Sequence, residues 1–250
     1  MTDKLLTAWG GHDVLTLTIN RPERRNAVDP ELLSELARVL RDEGDRARAV
    51  ILRGAGTDAF SSGYDLSHLT GSAEDLEADR FIGDAATAIR NCAAPVIARL
   101  QGHCHGAGVE LALSCDLRVS ASELRMSVPA VGLGVVYRYP FIARLVQMAG
   151  IARASDLLLG MQELSADTAY LWGLVSEVVP ASELDARVEA LAVKLATSPQ
   201  PAVHGTKASL NLLDRRAVAG EDRLQAHELR GRAAASPERK EALARRRKKT

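Results

Sequence analysis

Apolar positions recur along this chain in two periods, and the period switches repeatedly through its first half. Val14-Leu15-Thr16-Leu17-Thr18-Ile19-Asn20 is β-rich and partly alternating, which predicts a strand. Arg21 to Ala27 breaks that pattern. Asp29-Pro30-Glu31 then supplies a cap, a first-turn proline and an acid, and Leu32, Leu33, Leu36, Val39 and Leu40 follow on one helical face. Ala49 to Leu52 is the next buried strand. Leu76, Phe81, Ile82, Ala85, Ala88 and Ile89 give Ala73 to Arg90 the period of a helix. Pro95 to Leu100 predicts a buried strand, and Cys115 to Ser120 another. After about Tyr139 the chain reads as helical, apart from a short strand at Leu174 to Val179. Alternating strands and helices predict an α/β fold with right-handed crossovers and helices packed on sheets. A shift to helix alone near Gln200 divides a core, 1–199, from a C-terminal helical region, 200–250.

The join between the third strand and the helix after it carries the most chemistry. Gly102-His103-Cys104-His105-Gly106-Ala107-Gly108-Val109-Glu110 places three glycines where the backbone must turn and approach something closely. A helix starting there points free N–H groups, and the positive end of its dipole, into the space above the strand. Such a place stabilises negative charge. Glu110 lies about one turn further on, near the same space. His103 and His105 share one side of a strand with no third ligand in sight, so hydrogen-bonded histidines are expected rather than a metal site. Gly54-Ala55-Gly56-Thr57-Asp58-Ala59 imitates a dinucleotide fingerprint, but no helix follows it. That turn is instead a second place where backbone N–H groups can face a ligand.

Composition narrows the partners. The formal net charge is zero and aromatic residues make up 4%, which argues against a nucleic-acid binder acting through bulk charge or base stacking. Hydrophobic residues at 46% and charged residues at 26% fit a globular protein with a full core. Cys92, Cys104 and Cys115 form no disulfide framework, the first residues show no signal-peptide pattern, and no apolar run reaches the ~20 residues of a membrane span. A reducing, cytoplasmic setting is expected.

Five segments, in order and spacing, make a more specific pattern: LTINRPERRNAV at 17–28, VILRGAGTDAFSSGYDL at 50–66, PVIARLQGHCHGAGVELALSCDLRVSA at 95–121, VPAVGLG at 128–134 and GMQELSADTAYLWGLVSEVV at 160–179. With them the chain resembles the enoyl-CoA hydratase/isomerase (crotonase) family over nearly its whole length. The resemblance implies a spiral of ββα units ending in helices that form a homotrimer or a dimer of trimers. It implies an acyl-CoA thioester as substrate, with no further cofactor and no metal. The thioester oxygen, as it becomes an enolate, would be held by the N–H groups of Tyr64 and Ala107. CoA would lie along Arg24, Arg25, Ala27, Ser62, Tyr64, Asp65, Leu66 and Ser67, with the basic run at 245–249 near a phosphate. Glu110 matches the first of the two glutamates that hydratases of this family use. At the second position stands Ala130, and Tyr137, Arg138 and Tyr139 are near enough in sequence to supply a substitute, Tyr137 or Tyr139 being the first to test. An enoyl-CoA hydratase is the leading expectation. An isomerase, a decarboxylase and a non-catalytic acyl-CoA binder are the alternatives.

Overall fold

The computed structural model describes residues 3–71, 75–216 and 220–247. In chain order the elements are β1 (Leu5–Trp9), β2 (Val14–Ile19), α1 (Pro30–Glu43), β3 (Ala49–Gly54), β4 (Ala59–Ser61), α2 (Asp75–Asn91), β5 (Val96–Leu100), β6 (His103–His105) and α3 (Ala107–Ser114). Then come β7 (Leu117–Ala121), β8 (Arg125–Ser127), α4 (Tyr139–Ala149), α5 (Ile151–Leu158), β9 (Leu164–Ser165), α6 (Ala166–Leu171), β10 (Glu177–Val179), α7 (Leu184–Thr197), α8 (Gln200–Arg216), α9 (Gly220–Ala234) and α10 (Pro237–Arg247).

The strands form two sheets, β1-β2-β3-β5-β7-β10 and β4-β6-β8-β9. In the first, β1 runs antiparallel to β2 and the other pairs are parallel, with Val50 opposite Val96 and Ile97 opposite Leu117. Three times the chain passes from a strand of the first sheet to one of the second and then into a helix: β3-β4-α2, β5-β6-α3 and β7-β8-α4. This is the repeating ββα spiral, and it brings the β4 and β6 ends together at one side of α3.

Both-face burial explains why β3 and β5 read as mostly apolar runs, each with a single arginine, Arg53 and Arg99. Val50 and Leu52 enter the main core with Leu15, Leu17, Val96 and Leu111. Ala49, Ile51 and Ile97 face the other way, against Val188, Ala192 and Ala196 of α7. Each fully buried leucine contributes about 1.5–3 kcal/mol relative to exposure. Arg99 clamps α7 to the sheet through Asp185, at 2.6 and 3.0 Å. Lys207 docks α8 in the same manner, donating to Ile89 O and Ala94 O and pairing with Asp116 at 2.7 Å.

Most sequence expectations fall within a residue or two of these elements. Asp29 caps α1 by accepting from the Leu32 N–H at 2.9 Å. The expected strand at Leu174–Val179 shortens to Glu177–Val179, because Gly173 (φ +77°) turns the chain and the Leu174 N–H bonds back to Ala169 O. Residues 73–74 of the expected second helix lie outside the described residues. The strands β4, β6, β8 and β9 have three residues or fewer, too short for a periodic signal. No described helix is long and apolar enough to cross a membrane.

Candidate active site

Two backbone turns meet at one end of α3. Gly63 has φ +97°, and a Cβ on it would lie 2.8 Å from His105 O and 3.4 Å from Ala107 N. Only glycine tolerates both that dihedral and that approach. The Val28 N–H donates to Gly63 O (2.9 Å) and the Asp65 N–H to Val28 O (2.8 Å). In a parallel bridge of this kind the intervening Tyr64 N–H points away from Val28. On the other side, Gly106 (φ +55°) starts α3, and the first helical donors are Val109 and Glu110, both onto Gly106 O. The Ala107 N–H therefore stands outside the helix ladder, as the first N–H groups of any helix do. Gly108 serves packing: a Cβ there would lie 2.8 Å from Ser61 O.

These turns open into a cavity of about 710 Å³. Arg25, Ser62, Tyr64, Leu66, Ala107, Glu110 and Ala130 line it, together with Tyr137, Arg138 and Arg245. Arg24, Ala27, Asp65 and Ser67 are not among the lining residues. Asp65 instead braces the turn, accepting from the Ser67 N–H and Oγ–H at 3.1 and 2.7 Å and from Arg21 at 2.9 Å. Burial opposes its ionisation, but the Ser67 hydrogen bonds and Arg21 prevail and hold the carboxyl at about 2. The Ala27 carbonyl accepts from Arg21, and the Arg24 carbonyl from Ser62. Buried Asn26 ties the same loop to Ala55 O and Ala59 O. Of the basic run, Lys248 and Lys249 lie outside the described residues.

Glu110 is 3% exposed, and Arg138 donates from Nη2 to its Oε1. Arg138 precedes α4, and its guanidinium occupies the space beside Gly83 of α2, where any Cβ would collide with it. The loop position expected to hold a second glutamate is a buried methyl group, Ala130. Of the two tyrosines that might substitute, Tyr137 lines the cavity and Tyr139 does not. The Tyr137 hydroxyl would lie 3.3 Å from a Cβ on Gly106, beside the turn that starts α3. Burial, then the nearby Glu110 charge, push it well above the usual phenol range, so it stays a hydroxyl. His103 and His105 bond to each other at 3.1 Å, and His105 to Ser127 Oγ at 2.8 Å, as the sequence led us to expect of hydrogen-bonded histidines.

One wall of the cavity escaped sequence reasoning. Asp75, Asp79 and Gly83 lie four residues apart on one face of α2. Arg239 of α10 pairs with Asp75 at 2.6 Å, Arg230 of α9 pairs with Asp79, and Arg138 fills the Gly83 notch. Burial, acting first, raises the Asp79 carboxyl above its ordinary value against the pull of Arg230. The available signal was that both acids fall at the spacing of the helix's own apolar face, with Ile82 and Ala86.

The family description enoyl-CoA hydratase/isomerase matches residues 10–248. The chain is 34% identical over 203 residues to a short-chain-enoyl-CoA hydratase of Clostridium acetobutylicum, covering 79% of this chain and 77% of that one. It is 35% identical over 194 residues to a 1,2-epoxyphenylacetyl-CoA isomerase of Escherichia coli, covering 74% of each. Among solved structures, an enoyl-CoA hydratase/carnithine racemase of Magnetospirillum magneticum superposes with a TM-score of 0.81 at 34% identity, over 100% of this chain and 94% of that chain. Together with the ββα spiral and the glycine turns, this settles the kinship: the chain belongs to the enoyl-CoA hydratase/isomerase (crotonase) family.

Proposed function

We propose that this protein moves a proton within an enoyl-CoA thioester, shifting its double bond, with Glu110 as the sole acid/base. The carrying observation is the Glu110–Arg138 pair facing the cavity, with Ala130 where a second carboxylate would stand. Hydration needs one group to take a proton from water and another to deliver one to the α-carbon. Isomerisation needs only one base, which removes a proton from one carbon and returns it to another. The Arg138 hydrogen bond to Oε1 fixes the Glu110 carboxyl group at the cavity wall, so that one group can serve both transfers. The Tyr64 and Ala107 N–H groups hold the oxyanion that forms between the two transfers, the kind of contact whose loss costs about 2.7–4 kcal/mol of barrier.

Arg25, Ser62 and Leu66 give the CoA arm its track, with Arg245 available to a phosphate. The exposed apolar side chains Ile151, Leu159, Tyr170 and Leu171 on α5 and around α6 support a homo-oligomeric contact. Hydration is the second reading. It is favoured by the Tyr137 hydroxyl beside Gly106, which supplies a further donor at the turn. The test is to offer 3-hexenoyl-CoA and crotonyl-CoA separately and follow the enoyl absorbance. Isomerisation at least about tenfold faster than hydration supports the single-carboxylate reading, a difference of about 1.4 kcal/mol in barrier. The reverse order supports hydration.

A further inference from the structure

The three acid–arginine pairs around the inner cavity are more than the proton transfer requires, and they constrain what fills it. Glu110 must stand beside the α and γ carbons of a bound acyl group if it is to move a proton between them. Arg138, bonded to Glu110, is then the side chain next along the acyl path. Beyond it come Asp79 with Arg230 and Asp75 with Arg239, all lining the same cavity. A long hydrocarbon chain laid against these groups would strip water from three ion pairs and return nothing to them.

Within these pairs the charges balance, three carboxylates against three guanidiniums, and Arg25 and Arg245, which also line the cavity, serve the CoA arm in the reading above, so the pairs leave no cation over for an anionic acyl group. The unmet demand is for hydrogen-bond acceptors. Arg138 Nε, Arg239 Nε and the Tyr64 hydroxyl are buried and have no partner among the described residues. All three belong to cavity-lining residues. The Tyr64 hydroxyl is pushed up to about 12 by burial and then by Asp79, so it remains a donor at neutral pH. A buried donor without an acceptor is unfavourable until one arrives.

We infer that the preferred acyl group is short and carries a neutral oxygen, a hydroxyl or keto group beyond the β carbon, which Arg138 and Tyr64 recognise. This rests on the acyl-CoA reading above and adds the chemistry of the acyl chain. It makes Arg138 and Tyr64 specificity-determining residues for whichever reaction the site performs.

Binding tests it without turnover. Dissociation constants are measured by calorimetry for CoA, pentanoyl-CoA, 4-hydroxybutyryl-CoA, succinyl-CoA and octanoyl-CoA. The 4-hydroxybutyryl thioester should bind about tenfold tighter than its near-isostere pentanoyl-CoA, the worth of one or two hydrogen bonds. Succinyl-CoA should gain nothing over pentanoyl-CoA, and octanoyl-CoA should bind more weakly. In Arg138→Met and in Tyr64→Phe the hydroxyl preference should shrink to below about threefold. Should Arg138→Met fail to fold, Tyr64→Phe, which deletes one oxygen atom, decides. Equal or tighter binding of pentanoyl- or octanoyl-CoA, tightest binding of succinyl-CoA, or a preference untouched in Tyr64→Phe would overturn the inference while leaving the acyl-CoA reading standing. Failure of every thioester and of CoA to bind would overturn both.

Discussion

The two sides of the cavity are built differently. At the α3 end the groups proposed to meet substrate are backbone N–H donors, fixed by Gly63 and Gly106 at positive φ and by packing of Gly108 on Ser61. On the α2 side they are long charged side chains, brought together from α2, α3, α9, α10 and the start of α4. The first side is a matter of local chain geometry, which cannot change without moving the fold. The second is a set of side-chain pairings that a single substitution can rewrite. Chemistry common to a family belongs on the first, and what distinguishes one member belongs on the second.

The sharpest way to break this division is to strain the backbone side. Gly63→Ala puts a methyl group 2.8 Å from His105 O on a residue at φ +97°. Turnover should fall by about 10³-fold, the worth of one oxyanion donor, while circular dichroism stays close to wild type. Removing a partner from the charged side should act on stability instead. Arg239→Met leaves Asp75 buried and short of its cation, so chemical denaturation should report a loss of about 3 kcal/mol. Glu110→Gln tests the one charged-side residue that does chemistry. Its turnover should drop by about 10²-fold with little change in acyl-CoA affinity.

The smallest effect concerns the brace beneath the backbone side. The Asp65 carboxyl, at about 2 in the folded protein, lies below the ordinary aspartate value of about 3.9. A depressed carboxylate contributes stability that is fully present above the unfolded value and is lost as pH falls through the folded one. Between about pH 4 and about pH 2 the wild type should therefore lose stability more steeply than Asp65→Asn, measured by urea midpoints across that range. Parallel curves would remove Asp65 from the account.

The same division explains what the sequence disclosed. The run Ala49–Leu52 was legible because burial on both faces leaves no polar position in it, Pro95–Leu100 because Arg99 alone interrupts it, and Val14–Ile19 because Thr16 and Thr18 alternate with buried apolar residues. The glycine join at 102–108 was legible because positive φ and close approach select one residue type, whatever lies far away in the chain. Arg138 was legible only as one of three residues near the Ala130 loop, since nothing near it in sequence reveals Glu110 or Gly83 as its partners. Asp75 and Asp79 were not singled out, because the arginines of α9 and α10 that pair with them lie more than 150 residues further along the chain. Arg24, Ala27, Asp65 and Ser67 show the converse. Their position in the segment pointed to the ligand track, while their hydrogen bonds hold the turn that shapes it.

The central claim is that one buried, arginine-paired carboxylate performs both proton transfers. The direct test converts 3-hexenoyl-CoA in deuterium oxide and reads the product by NMR. If Glu110 carries the same proton from C2 to C4 inside a closed cavity, the 2-enoyl product keeps much of its protium at C4, and Glu110→Gln forms product about 10²-fold more slowly. Product carrying one full equivalent of deuterium at C4, or formed at the wild-type rate by Glu110→Gln, would contradict it.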